Sequence, residues 1–286
     1  MDLLEKIKRL TILALLSDEI LMALLVLKGG NAIDIAYDLS ARGSIDIDFS
    51  METDFSPQEK VRIKNQASYI LNTEFNKEGL QVFDVNFNEK PKKMNEAVKS
   101  FWGGYTLDFK VISQEKYSSL KDDIEATRRN ALPISGNNST KFEVDISKYE
   151  YVTGKRARDL DGTVIYVYSP EMLALEKLRA LCQQNPAYRS VVYSMSQKSR
   201  GRDFYDIHNL VTSFNLDLSA PGNKELCKHI FSAKHVPLGY LAELNGQYEL
   251  HRQSWPSVIA TVNQKENLRE FDYYFDFVLQ IASKLL

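Results

Sequence analysis

Strand-type alternation of apolar and polar residues runs through the first 170 positions of this 286-residue chain and then stops. Residues 45–49 read Ile-Asp-Ile-Asp-Phe, and Tyr105, Leu107, Phe109 and Val111 stand two apart. Residues 141–146 alternate again, and 164–168 form a short run before Pro170. Side chains two apart on a strand share a face, so each run offers one apolar face to a core. Beyond Pro170 the period changes, and residues 171–184, 202–213, 224–233 and 255–286 favour helix. Strands confined to one part of a chain and helices to the other define an α+β protein. The expected organisation is an α/β domain with a short mixed sheet over residues 1–169, then a mostly helical domain over 170–286.

Within the first domain, residues 3–25 carry apolar positions at helical spacing, broken around Ser17-Asp18. Residues 24–28 are a short apolar run stopped by Gly29-Gly30, the pattern of a buried strand ending in a tight turn. Asn31 is placed to cap a helix over 32–39, because a short side-chain acceptor satisfies free N–H groups at a helix start. Arg42-Gly43-Ser44 reads as a loop, 57–71 as a helix opened by Pro57, 80–112 as a strand pair, and 117–129 as a helix. The most polar stretch, 135–140, reads as an exposed loop.

Charge narrows the function. Lys and Arg number 36 against 38 Asp and Glu, a net charge of −2, which excludes a globally basic nucleic-acid binder but leaves room for a local patch. Two cysteines, Cys182 and Cys227, exclude a disulfide scaffold and suit a reducing compartment. The N-terminus threads charges through its apolar residues, unlike a signal peptide. The longest apolar candidate, residues 20–27, falls far short of the roughly 20 that a membrane helix needs. The expectation is a cytoplasmic protein with no membrane partner.

Residues 28–50, KGGNAIDIAYDLSARGSIDIDFS, hold the densest chemistry. On a strand Asp46 and Asp48 face the same way, with Cα atoms about 6.5–7 Å apart. Carboxylates at that spacing repel unless a cation joins them, and Mg²⁺, which takes a few hard oxygens and completes its shell with water and phosphate, suits the site. Gly29 and Gly30 allow close backbone approach to a ligand, and the following helix start offers N–H groups to an anion. A triphosphate cradle beside a metal-binding carboxylate pair is the minimum apparatus of nucleotidyl or phosphoryl transfer. Each element alone has a plainer reading: a solvated acidic strand face, and a turn.

Gly29-Gly30-Asn31-Ala32 followed by Arg42-x-Ser44-x-Asp46-Ile47-Asp48-Phe49 resembles the first motif of the AbiEii/AbiGii-type nucleotidyltransferases. These are the toxins of type IV toxin–antitoxin and abortive-infection systems, within the DNA polymerase beta-like superfamily. Residues 173–181, LALEKLRAL, resemble the family's lysine helix, and 200–207, RGRDFYDI, its Asp-x-x-Asp motif. Many relatives carry Thr or Ser where this chain has Asn31, and the spacing from there to Asp46 is slightly long. The resemblance implies a polymerase beta-like fold and a two-metal Mg²⁺ site acting on an NTP. It implies a third carboxylate on a later strand, for which Asp145 is the first choice and Glu143 the fallback; Asp84 and Asp108 are weaker. It also implies nucleotide contacts from Gly29, Gly30, Asn31, Ser44, Lys177, Asp203 and Asp206, with the two last orienting Lys177 or the nucleotide.

Lys177 interrupts a largely apolar helix face made by Leu173, Ala174, Ala180 and Leu181, so it either snorkels to water or reaches a fixed anion. Asp203 and Asp206, three apart, share one side of a helix, with Arg200 and Arg202 nearby as phosphate grips or surface ion pairs. A zinc site at Cys227, His229 and His235 is disfavoured, since residues two apart on a helix face differently. No P-loop and no Gly-x-Ser-x-Gly elbow occurs. Tyr149, Tyr151, Tyr166, Tyr168, Tyr273 and Tyr274 could stack bases, and Lys90, Lys92 and Lys93 could meet an RNA backbone, although core packing and a solvated loop explain them as well. The expected function is metal-dependent transfer of a nucleoside monophosphate to a hydroxyl of RNA (a tRNA end, for example) or protein, by a toxin with a cognate antitoxin. The alternatives are a small-molecule nucleotidyltransferase of the aminoglycoside-modifying kind and a non-catalytic nucleotide- or RNA-binding module.

Overall fold

The computed structural model describes residues 2–39, 46–120, 122–134, 138–262 and 268–286. The predicted loop at 42–44, with Ser44, and the first half of the 135–140 loop, residues 135–137, lie outside them. Seven strands form one mixed sheet: β1 (Val26–Lys28), β2 (Ile47–Ser50), β3 (Leu80–Lys90), β4 (Gly104–Ser113), β5 (Phe142–Ser147), β6 (Arg156–Leu160) and β7 (Thr163–Val167). Their spatial order is β3-β4-β5-β2-β1-β7-β6. β1 lies inside the sheet between β2 and β7 and all three of its residues are buried, which is why its sequence is a short apolar run without alternation. It runs antiparallel to β2 and parallel to β7, while β2 runs parallel to β5.

The alternating strands sort their faces as their period requires. Ile47, Phe49, Phe142, Val144, Ile146, Leu107 and Phe109 are buried on one face. Helix Pro57–Phe75 covers that face, with Phe75 edge-on to Phe109 at 5.8 Å between centroids. Its start is a capping box: Ser56 Oγ accepts from the Glu59 N–H and the Glu59 carboxylate accepts from the Ser56 N–H. Each fully buried Phe here contributes about 1.5–3 kcal/mol of transfer energy, and truncating Phe109 to Ala would cost about 3–5 kcal/mol. The other face of β2 and β5 presents Asp48, Glu143 and Asp145.

After β7 the described residues hold helices and no further strand. Ser169 opens helix Pro170–Cys182 by accepting from the Met172 N–H, with Pro170 in the first turn. Helix Gly201–Ser213 packs against it, and helix Phe271–Leu285 packs behind through the Phe204–Phe275 stack. Three local expectations need correction. Asn31 lies inside a helical turn and makes no cap; its side-chain amide donates to the Asp46 carbonyl. The turn continues as a π-type segment, Ala32–Ala36. The helix expected over 117–129 is two short ones, Gln114–Leu120 and Ile124–Arg129, capped afresh by Asp123. Among the described residues no helix is long and apolar enough to cross a membrane.

Candidate functional site

The strand registers draw a line of charge across the sheet. Lys28 of β1 lies opposite Asp48 of β2, Asp48 opposite Asp145 of β5, and Asp145 opposite Thr106 of β4. Burial pushes the Asp48 carboxyl up to about 6, with Lys28 opposing and Asp145 adding to the rise. Asp46, just before β2, is also raised, first by burial and then by Asp145 and Glu143. Asp145 is held by Lys90, whose Nζ lies 2.8 and 3.0 Å from its two oxygens, and Glu143 stands 3.7 Å from the same ammonium. Four acidic side chains, Asp46, Asp48, Glu143 and Asp145, thus gather at the sheet, with Asp145 the neighbour common to Asp46 and Asp48.

Gly29 makes room for them. Its φ of +69° is left-handed backbone, and a Cβ there would lie 2.4 Å from Asp48 Oδ2. The sequence break after β1 therefore places a turn directly under a carboxylate.

Beside this line lies a cavity of about 300 Å³, bordered by Asp48, Asp145, Lys28, Lys90, Arg200 and Trp102 among others. Its buried wall is an ion cluster centred on Glu150. Lys28 and Lys234 each lie 3.5 Å from that carboxylate and Arg179 lies 3.6 Å away. Burial would raise the Glu150 carboxyl, but the three cations hold it at about 2. Glu176 completes the cluster, 2.9 Å from Arg179 and 3.8 Å from Lys28. Lys234 is pulled down to about 8 by burial, against the pull of Glu150, and donates to the carbonyls of Phe101 and Lys148.

Helices Pro170–Cys182 and Gly201–Ser213 meet through Lys177. Its ammonium is buried and donates to Asp206 at 2.8 Å and Asp203 at 3.2 Å. Burial works against the charge, yet Asp206 and Asp203 hold its pKa above the ordinary value. Asp203 also accepts from Arg200 Nε at 2.5 Å, and these cations keep it at about 2 in spite of burial. The Arg200 N–H donates to Nδ1 of the fully buried His251, so Nδ1 is the unprotonated nitrogen and Nε2–H faces Gln247 Oε1 at 3.3 Å. Burial lowers that imidazole to about 4.

The residues singled out from the sequence thus fall into two groups. Asp46, Asp48, Asp145 and Glu143 gather at the sheet, with Gly29 beneath Asp48. Lys177, Asp203 and Asp206 gather between the two helices. Asn31 is fully buried, so its side chain is a strut for Asp46 and is not open to a ligand. Lys177 does not snorkel, and none of the six tyrosines considered for base stacking borders the cavity. Lys90 leaves the proposed surface cluster for Asp145. Sequence reasoning missed Lys28, Glu150, Glu176, Arg179 and Lys234. Three charges within the apolar run LALEKLRAL, and the lysine ending the apolar strand at Gly29, were legible signals; Glu150 and Lys234 carried none.

Acidic residues on adjoining strands thus stand over a glycine turn and beside a cavity with lysine and arginine in its wall. Residues 11–277 match the family described as "Nucleotidyl transferase AbiEii toxin, Type IV TA system". The chain belongs to that family and is a nucleotidyltransferase enzyme. Among solved structures it is similar to a candidate nucleotidyltransferase from H. pylori, at 14% identity and TM-score 0.46, covering 98% of this chain and 92% of that one. It is also similar to an antigenic nucleotidyltransferase-like protein from Paracoccidioides brasiliensis, at 13% identity and TM-score 0.37, covering 80% and 92%. No curated protein matches the chain significantly.

Proposed function

We propose that this enzyme moves a nucleoside monophosphate from an NTP to a hydroxyl on RNA or protein, with a divalent metal, as the toxin of a pair with an antitoxin. The observation that carries the reading is the register that sets Asp48 beside Asp145 at the edge of a cation-lined cleft. In the reaction the acceptor hydroxyl oxygen attacks the α-phosphorus and gives up its proton to solvent, a new P–O ester bond forms, and the bond to the bridging oxygen breaks to release pyrophosphate. Lys28, Arg179 and Arg200 border the cleft and oppose the charge of the triphosphate. Asp203 and Asp206 fix Lys177, and Asp203 also fixes Arg200, which reaches the cleft.

Among the described residues no group of three or more His, Cys, Asp or Glu side chains is placed to hold a metal ion. Mg²⁺ is commonly held by one or two carboxylates together with substrate phosphates and water. Asp48 and Asp145 would hold it, with Asp46 beside them, and the raised Asp46 and Asp48 carboxyls are those a cation would relieve. When bound, such an ion supplies charge neutralisation at the phosphates and lowers the acceptor hydroxyl's pKa. Lys90 then has to release Asp145, which frees its ammonium for phosphate.

The cavity of about 300 Å³ lies at the lower end of the range for small-ligand sites, and the labelled pools decide between a macromolecular and a small acceptor. The test is transfer of α-phosphate label from each of the four NTPs, with Mg²⁺, to separated RNA, protein and aminoglycoside pools. Wild type labels RNA or protein and Asp48→Asn labels none; no label from any NTP overturns the proposal. Equal growth of cells induced for wild type and for Asp48→Asn would remove the toxin role.

A further inference from the structure

We infer that Trp102 is the platform on which the nucleobase of the bound nucleotide stacks, an assignment that rests on the nucleotidyl-transfer reading. Two aromatic residues border the cavity, Trp102 and Tyr105. Tyr105 is spent: it is 1% exposed, stacks on Phe87, and donates its hydroxyl to Asp54. Trp102 is only half-buried and meets Tyr188 at 6.4 Å and a tilt of 54°, a loose contact that leaves ring surface open to the cavity.

The chain is built to hold that indole in place. The backbone N–H of Trp102 donates to the Val98 carbonyl at 2.8 Å, fixing the main chain from which the indole projects. Gly103 follows at φ +108°, where a Cβ would lie 2.5 Å from Met94 Cε, and at Gly104 a Cβ would lie 1.9 Å from the Ile146 carbonyl oxygen. Gly103, where a side chain would be strained, and Gly104, where a Cβ would strike the neighbouring backbone, therefore lead from Trp102 into β4. Lys234 Nζ lies 5.8 Å from the ring centroid, a cation–π contact that further fixes its orientation.

Distance suits a nucleotide. Asp145 and Trp102 border the same cavity; Asp145 lies opposite Thr106, and Trp102 stands four residues before Thr106, at most about 14 Å away along that backbone. A nucleotide with its phosphates at Asp145 reaches that far with its base. Every base has a π-face, so stacking alone gives affinity with little choice among the four bases.

Equilibrium dialysis of the 286-residue chain tests this, with each NTP and with inorganic tripolyphosphate as probes. Trp102→Ala weakens NTP binding about tenfold and leaves tripolyphosphate binding unchanged, which also shows that the variant is folded. Trp102→Phe retains most of the affinity. The chain's other tryptophan, Trp255, is packed between Phe271 and Tyr274, so NTP quenches fluorescence in wild type and in Trp255→Phe but not in Trp102→Phe. NTP binding to Trp102→Ala at wild-type affinity overturns the stacking assignment and leaves nucleotidyl transfer standing. Failure of wild type to bind any NTP overturns both.

Discussion

Replacing Glu150 with Gln keeps the shape of the side chain and removes the one negative charge on which Lys28, Arg179 and Lys234 converge. The carboxylate is 5% exposed, so water cannot take its place. Its pKa of about 2, against an ordinary 4.5, is worth about 3 kcal/mol of differential stabilisation at 1.36 kcal/mol per unit. Lys28 and Arg179 keep Glu176, whereas Lys234 loses its carboxylate partner among the described residues. Leaving a buried cation unpaired costs about 3–5 kcal/mol where it has been measured, so about 3 kcal/mol is the expected loss at pH 7. Urea denaturation reads it as a lower midpoint with an unchanged slope. A folded-state pKa below the unfolded one gives stability that is present above pH 4.5 and lost as pH falls toward 2. The gap between wild type and Glu150→Gln should therefore narrow through that window. A gap under about 0.5 kcal/mol at pH 7 would refute the cluster as a stabilising unit.

Gly29→Ala should lose at least about 1 kcal/mol in urea, from left-handed backbone alone, and lose nucleotidyl transfer more severely because the new methyl displaces Asp48. Full turnover in that variant would sink the close-approach argument. His251, held at about 4 against an ordinary 6.5, contributes stability present above pH 6.5 that fades toward pH 4, about 3 kcal/mol in all. His251→Asn, which keeps an acceptor for the Arg200 N–H, should flatten that slope in pH-dependent melts. Lys177→Met leaves Asp206 without its buried ammonium and should cost about 3–5 kcal/mol in urea, with Asp206→Leu added to it recovering part of the loss. Strictly additive effects in that pair would contradict a shared ion pair.

How much of this was legible in the sequence depends on how local each cause is. Alternation over 45–49 and 141–146 exposed two strand faces because period 2 is a property of the strand itself. That Asp48 lies beside Asp145 is a property of register between segments almost 100 residues apart, and no spacing within either strand encodes it. The same limit explains Glu150 and Lys234, ordinary charged residues in sequence that become a buried pair only when the segment after β5 meets the end of helix Pro221–Ser232. Asn31 failed as a cap for a related reason. Its side chain had two candidate partners, the local helix start and the Asp46 backbone brought in by β2, and the long-range partner took it. Helix 173–181 shows the opposite case. Three charges in one apolar run are costly unless each finds a partner on packing, so the run carries a local signal for a polar seam, of which the sequence reading used only Lys177 and passed over Glu176 and Arg179. The seam separates by helix face: Glu176 and Arg179 border the cleft and join Lys28, while Lys177 turns to helix Gly201–Ser213. A single helix thereby ties the sheet's line of charge to the Asp-x-x-Asp motif, and a change at Lys177 is expected to reach the cleft through Asp203 and Arg200 without any contact of its own there.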